Sequence, residues 1–437
     1  MFAPARHPGL VGVELELIPV TDTPQPRPVA PEWLAAGFDA GFVRAAAPTF
    51  EPGGQLELSP PPRPAVEDLV ADVAALSRRA IAIAAARGIR LEAAGLNPYH
   101  SCADVPLRLP SQRYLAMQQA FDEVGPDGRR MMRLTASLQI AVDLLPGRAG
   151  HEQWLVANLA GPPLAAAFAN SAVAAGHPAG ITGARTRIWQ HADLRRTGYD
   201  GRHLDLTDPV GGYAAFAAAA PRLPIPAAAR PAYHLSTLFP PVRPRGGYLE
   251  VRYLDAQPLW RIPEAVAVVA SLVYDDRARH DALDLLLPRA HDQHRAWAEA
   301  ATGHSPETEA LLAIARATLP AALVSGGVAR GSRSSPTRWT ASTRRSTPAS
   351  GSCMPPPTVA RRSGSRRRTC WKPCTAGRGR LPAGYGSRRP GLPGITAGPW
   401  RNAGIPPPNR NMSGWTRWPR SSCGPSRPST RPSSPRP

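Results

Sequence analysis

The chain has 437 residues with 52 Lys and Arg against 32 Asp and Glu, long enough for one large domain or two of ordinary size. Its charge is unevenly spread: 22 of the basic residues and none of the acidic ones lie in residues 325–437, so the part before Ser325 is near neutral. That distribution excludes a compact basic nucleic-acid-binding domain, and because the one Lys of the chain is Lys372, it excludes a Gly-x-x-x-x-Gly-Lys phosphate loop anywhere before Ser325.

Taken in chain order, period-two alternation predicts a first strand over residues 11–18, with Glu14 and Glu16 on one face and Val13, Leu15 and Leu17 on the other. Residues 22–31 read as a Pro-rich loop. Residues 49–59 read as a turn at Pro52-Gly53-Gly54 leading into a second strand, with Gln55 and Glu57 opposite Leu56 and Leu58 and with Glu51 delivered by the turn. A helix over 65–87 follows, with Leu69, Val73, Leu76, Ala80 and Ile83 at helical spacing and Gly88 as its stop. A strand over 89–95, a loop through Asn97-Pro98 and a helix over 112–124 come next. Residues 132–144 read as a strand throughout, with Arg133, Thr135, Ser137, Gln139 and Asp143 facing away from Leu134, Leu138, Ile140, Val142 and Leu144. A helix over 151–168, a Gly-rich loop over 176–183, a strand over 247–254 with Glu250 and Arg252 opposite Leu249, Val251 and Tyr253, and three helical stretches over 263–322 complete a mixed α+β reading without internal repeats.

Residues 325–437 hold six Ile, Leu or Val and no Phe, too little apolar surface to offset the entropy of ordering them, so they are expected to be disordered. They also hold four of the five cysteines and five of the ten tryptophans among Arg, Pro, Ser and Gly, a mixture that out-of-frame reading of GC-rich DNA produces. Two readings stay open: a frameshift product, or a basic arm that touches nucleic acid or membrane non-specifically. Cys370 and Cys374 lack a second ligand pair at zinc spacing. Cys102 is alone in the part before Ser325, the N-terminus has no apolar signal core and no apolar run is long enough to span a bilayer, so a cytoplasmic, non-membrane protein is expected.

Four strands thus present carboxylate, amide or guanidinium on one side. Carboxylates about 4 Å apart repel by about 4 kcal/mol at an effective dielectric near 20, so their convergence calls for a counter-charge, and a hard divalent cation supplies it. Magnesium, which bridges carboxylates to nucleotide phosphates, suits this set. Phosphate handled here has to be neutralised by metal and by arginine, for which Arg133, Arg185, Arg187 and Arg252 are available. Other chemistry scans poorly. His151-Glu152 lacks the second His of a zincin helix, His291 and His294 read as surface residues, and Cys102 as a core or loop thiol.

The segments GVELEL, FEPGGQLELSPPP, MMRLTASLQIAVDL, ANSAVAAGHPAGITGARTRIWQHAD and YHLSTLFPPVRPRGGYLEVRYLDAQP resemble, in order, the plant and actinobacterial glutamate-cysteine ligases over roughly residues 9–324, most closely the actinobacterial branch that serves ergothioneine synthesis. The resemblance implies a glutamine-synthetase-like fold over positions 1–324, a curved antiparallel sheet with flanking helices that holds ATP and Mg2+, with Mn2+ as a possible substitute. It implies Glu14, Glu16, Glu51, Glu57 and Glu250 as the metal carboxylates, with Glu57 also catalytic. Gln139 falls beside them as an ATP-side residue. Arg133, Thr135, Arg185 and Trp189 correspond to glutamate-binding residues, and Arg252 to the catalytic cation that meets the transferring γ-phosphoryl group. The implied reaction joins glutamate to cysteine through a γ-glutamyl phosphate. Two alternatives stay open: a ligase using another amine acceptor, and a degraded ligase fold that binds ATP or an amino acid without turnover. The segment after Asp193 is shorter than the family pattern, and likeness ends near Val324.

Overall fold

Alternation of side chains sets the first strand. In the computed structural model, which describes residues 2–39, 41–42 and 48–319, strand β1 (Val11–Thr21) buries Val13, Leu15 and Leu17 on one face while Glu14 and Glu16 project from the other. The reading of residues 325–437 lies outside the described residues. β1 runs beyond residue 18 because its last four residues pair with β4 (Ile89–Glu92). Strands β2 (Thr49–Phe50) and β3 (Leu56–Leu58) lie beside it, and β5 (Ser137–Asp143), β8 (Val242–Pro244) and β9 (Tyr248–Asp255) extend the sheet on its other side. The order is β2-β3-β1-β5-β9-β8, with every pairing antiparallel. A separate hairpin joins β6 (Val173–Ala174) to β7 (His177–Pro178).

Register decides what the polar face carries. Glu14 pairs with Gln139, Glu16 with Glu57, and Ala141 with Glu250. Slipping any strand by one residue would exchange these groups for Leu and Val, so burial of the apolar face locks the polar one. Between β5 and β9 the register shifts: Leu138 faces Leu254 but Ile140 faces Val251, leaving Gln139 against both Arg252 and Tyr253. This bulge sets Arg252 beside Gln139 and still returns Leu254 to the apolar side.

The apolar face is covered by two long helices. The Val66–Ala85 helix buries Leu69, Val73, Leu76, Ala80 and Ala84, and the Ile262–Tyr274 helix buries Val266, Val269, Leu272 and Val273. The first ends two residues before its predicted limit, and Gly88, at φ +65°, then turns the chain into β4.

Four local readings differ from the structure. Residues predicted as the start of a strand form a helix, Asp127–Leu134, so Arg133 is helical and the strand begins at Ser137. The hydroxyl of Thr135 donates to the Met131 carbonyl at 2.7 Å and closes this helix at a point where the sequence alternation runs on unbroken. The single helix over 151–168 is two, Gly147–Leu159 and Gly161–Ala167, because Pro162 and Pro163 fit a helix's first turn but not its interior. The loop over 176–183 lies partly in the β6/β7 hairpin, whose turn holds Ala175 at φ +48° and Gly176 at φ +84°, the two positive values a tight hairpin needs. Among the described residues four α-helices follow β9 instead of three: Ile262–Tyr274, Asp276–Leu286, Gln293–Ala301 and Thr308–Ala317. Among the described residues no helix is long and apolar enough to cross a membrane.

Candidate active site

The polar face of the sheet gathers carboxylates. Glu16 from β1, Glu57 from the neighbouring position on β3 and Glu51 from the preceding turn each offer an oxygen, and these oxygens lie within 4.8 Å of one another. The turn is built for this. Gly54, at φ +92°, donates its N–H to the Glu51 carbonyl at 2.7 Å, and a Cβ on Gly53 would sit 2.1 Å from the Arg133 carbonyl oxygen, so only glycine lets the turn lie against that backbone. The Gln55 amide donates to the Thr135 carbonyl at 2.7 Å and accepts from the Gly53 N–H at 3.0 Å, tying the turn to the start of β5.

Neighbouring donors satisfy part of this charge. Glu16 accepts from the Ser137 N–H at 2.8 Å and the Gln139 side-chain amide at 3.0 Å, and Glu57 Oε1 accepts from the Thr49 hydroxyl at 2.7 Å. Glu57 Oε2 and Glu14 Oε2 are buried without a hydrogen-bond partner. Burial, then the charges of Glu16 and Glu51 respectively, pushes the carboxyls of Glu51 and Glu57 up to about 8. Glu14 is pushed well above the carboxylate range by burial and then by Glu57 and Glu250. Converging buried carboxylates with unpartnered oxygens fit a hard divalent cation, which takes oxygen ligands and removes the repulsion.

Opposite this set lies a cationic one. Glu250 accepts from Arg243 Nη2 at 2.6 Å and from Arg252 Nη1, and it lies 3.5 Å from Arg245 Nε. Burial raises the Glu250 carboxyl, but the three guanidiniums outweigh it and bring it down to about 2. Arg252 also donates to Gln139 Oε1, and although burial disfavours its charge, Glu250, Glu16 and Glu14 hold its pKa above the ordinary value. Of the five carboxylates singled out from the sequence, three therefore converge, Glu14 is buried and feels the charges of Glu57 and Glu250, and Glu250 is engaged by arginines.

A pocket opens over part of this set: Thr135, Arg185 and Trp189 line it with Glu16, Glu51, Gln139 and Arg252, whereas Glu14, Glu57 and Glu250 are not among its lining residues. Arg185 is buried on the Ala184–Ala192 helix, where its Nη atoms donate to the carbonyls of Tyr253 at 3.1 Å and Arg252 at 2.9 Å while Nε stays unpartnered. Its guanidinium lies 5.6 Å from the Trp189 ring centre, and the buried Trp189 indole N–H is also unpartnered. Arg133 is not among the lining residues. It donates to Gln118 Oε1 on the Gln112–Asp122 helix. Arg187 and His294 are exposed, and Cys102 is a half-buried free thiol.

Sequence reasoning missed Arg113, Tyr114, Met117, Met131, Met132 and Phe239, all of which line the pocket. Arg113 donates to Ser236 Oγ at 2.7 Å and to the Ser236 carbonyl at 2.6 Å, a pairing 123 residues apart. Its position one residue into a helix capped by Ser111 looks like any solvated first turn, so nothing local marks it.

The sequence profile of the family described as glutamate-cysteine ligase family 2 (GCS2) matches residues 10–322. The glutamate-cysteine ligase EgtA of Mycolicibacterium smegmatis is 34% identical over 301 residues, covering 61% of this chain and 69% of the relative. The protein of the same name from Mycobacterium tuberculosis is 31% identical over 311 residues, covering 62% and 67%. The chloroplastic glutamate-cysteine ligase of Arabidopsis thaliana is 32% identical over 267 residues, covering 54% and 51%.

Proposed function

Because the chain belongs to glutamate-cysteine ligase family 2, we propose that it joins the γ-carboxylate of L-glutamate to the amine of L-cysteine, converting ATP to ADP and phosphate and releasing γ-glutamylcysteine. The observation that carries this reading is the meeting of Glu16, Glu51 and Glu57 with the Gln139-held Arg252 on one face of an antiparallel sheet. Glu14, Glu16, Glu51, Glu57 and Glu250 would hold magnesium, or manganese in its place. When bound, the cation neutralises the polyphosphate and makes the γ-phosphorus electrophilic.

The side chains do the rest. Arg252, oriented by Gln139 and Glu250, meets the equatorial oxygens of the transferring phosphoryl group, where charge develops. Glu250, which accepts from both Arg243 and Arg252, holds the Arg252 guanidinium beside Gln139. Arg185 Nε and the Trp189 indole N–H are buried donors aimed at one end of glutamate, with Thr135 beside them, and clamping the α-carboxylate there leaves only the γ-carboxylate free to reach ATP. Arg113 lines this wall directly, while Arg133 supports it through Gln118. The γ-carboxylate oxygen attacks the γ-phosphorus and ADP leaves. The cysteine amine then attacks the acyl carbon, and phosphate departs with the amine proton. Trp189 and Phe239 screen the acyl phosphate from water.

The same reading assigns the product to ergothioneine synthesis, on the strength of the motif likeness, and the enzyme to the cytoplasm, where ATP and reduced cysteine coexist. Mass-spectrometric detection of γ-glutamylcysteine from ATP, Mg2+, glutamate and cysteine tests it. Product requiring all four supports the ligase, and ATP consumption without dipeptide refutes it.

A further inference from the structure

The described residues contain three methionines, Met117, Met131 and Met132, and all three line the active-site pocket, whereas no Leu, Ile or Val does. The three methionines also belong to the hydrophobic core, where Leu, Ile and Val dominate, and it is only where that core meets the pocket that methionine stands in their place. Met117 comes from the Gln112–Asp122 helix and Met131 and Met132 from the Asp127–Leu134 helix, and all three are buried. The two helices are locked together where Gly128 lies so close to Phe121 that a Cβ there would fall 2.1 Å from the Phe121 side chain. The pocket lining therefore holds two kinds of group: Glu16, Glu51, Arg113, Arg185 and Arg252 with the polar Tyr114 and Thr135, and an apolar set of three thioethers with Trp189 and Phe239.

We infer that the three-methionine wall is the subsite for the side chain of the amine acceptor and sets its preference for a thiol. This rests on the ligase reading above. ATP phosphates and both glutamate carboxylates need charged partners, which the sheet and the arginines supply. The acceptor's CH2–SH group needs none, and polarizable sulfur packs well against a thiol and against aromatic ring edges. Against the three thioethers a hydroxyl meets only weak acceptors, so serine is disfavoured relative to cysteine. Adenine is the competing occupant of a soft wall, and steady-state kinetics separates the two.

The experiment measures KM for cysteine, glutamate and ATP, and the cysteine-to-serine ratio of kcat/KM, in the full chain and in single Ala, Gln and Leu substitutions at Met117, Met131 and Met132. The wild type is expected to favour cysteine over serine by about a hundredfold, and the Ala variants to raise the cysteine KM by about tenfold with ATP and glutamate KM within about twofold. The Gln variants, near in size but polar, should narrow the cysteine-to-serine ratio. The Leu variants, which keep volume, should fold and stay closest to wild type. A rise confined to the ATP KM assigns the wall to adenine and overturns the inference, as does no change in any constant. A wild-type chain that forms no γ-glutamyl product with any amine sinks the ligase reading, and the subsite with it.

Discussion

Glu57→Gln should separate stability from catalysis, with the sign of the stability effect set by pH and metal. The folded carboxyl is raised from 4.5 to about 8, so between those values the folded chain holds a proton that the unfolded chain has released. Metal-free stability therefore falls as pH rises through this window. The whole shift corresponds to roughly 5 kcal/mol as an upper bound, and because Glu51 and Glu16 share the same repulsion, a few kcal/mol is the expected effect of removing Glu57 alone. Glutamine keeps the oxygen that accepts from the Thr49 hydroxyl and loses the charge. In chelator at pH 8.5 the variant should melt several degrees above wild type, at roughly 2 °C per kcal/mol, and at pH 5 the two should nearly coincide. Saturating Mg2+ at pH 8.5 should stabilise wild type more than the variant, since ligand binding adds stability that grows with the logarithm of affinity. Turnover by the variant should be undetectable. Thermal unfolding followed by circular dichroism, at two pH values with and without metal, makes the comparison. A variant less stable than wild type in chelator at pH 8.5, or an equal Mg2+ shift in both, would refute the assignment of Glu57 to a cation site.

Three further outcomes are expected. Arg252→Lys removes the planar fork that reaches both Gln139 and Glu250, and kcat should fall by about 10²–10³ with glutamate KM little changed in steady-state assays. Glu250→Gln removes the buried carboxylate to which Arg243 and Arg252 both donate and should destabilise the chain by about 3–5 kcal/mol in urea unfolding, so unchanged stability would refute that role for Glu250. Deleting residues 325–437 should leave γ-glutamylcysteine formation intact and abolish any salt-sensitive DNA binding in a filter or anisotropy assay, and loss of ligation would show that the part before Ser325 does not carry the site by itself.

The sequence made the sheet legible because its chemistry is written at period two. Glu14 and Glu16, Gln55 and Glu57, and Glu250 and Arg252 alternate with apolar residues, and the antiparallel register sets Glu16 beside Glu57 and Glu14 beside Gln139. Glu51 was legible through the Pro52-Gly53-Gly54 turn, although the reason for Gly53, a backbone approach to Arg133, is tertiary. Arg133 itself was read in a strand because Arg133, Thr135 and Ser137 continue the alternation, and only the Thr135 hydroxyl bond to Met131 shows that the helix reaches Leu134. The bulge opposite Gln139 left no trace in the β9 sequence, since an extra residue between two apolar side chains preserves the look of a half-buried strand. The helical wall was illegible for a different reason. Arg113, the methionines and Phe239 come from separate elements, and only packing of those elements brings them to one pocket.

The central claim is that glutamate is activated as an acyl phosphate before cysteine is joined to it, and oxygen transfer tests it directly. With glutamate labelled by 18O in the γ-carboxylate, the account predicts one labelled oxygen in the inorganic phosphate for every γ-glutamylcysteine formed, read by mass spectrometry in the presence of ATP, Mg2+ and cysteine. Dipeptide formed with unlabelled phosphate would contradict it.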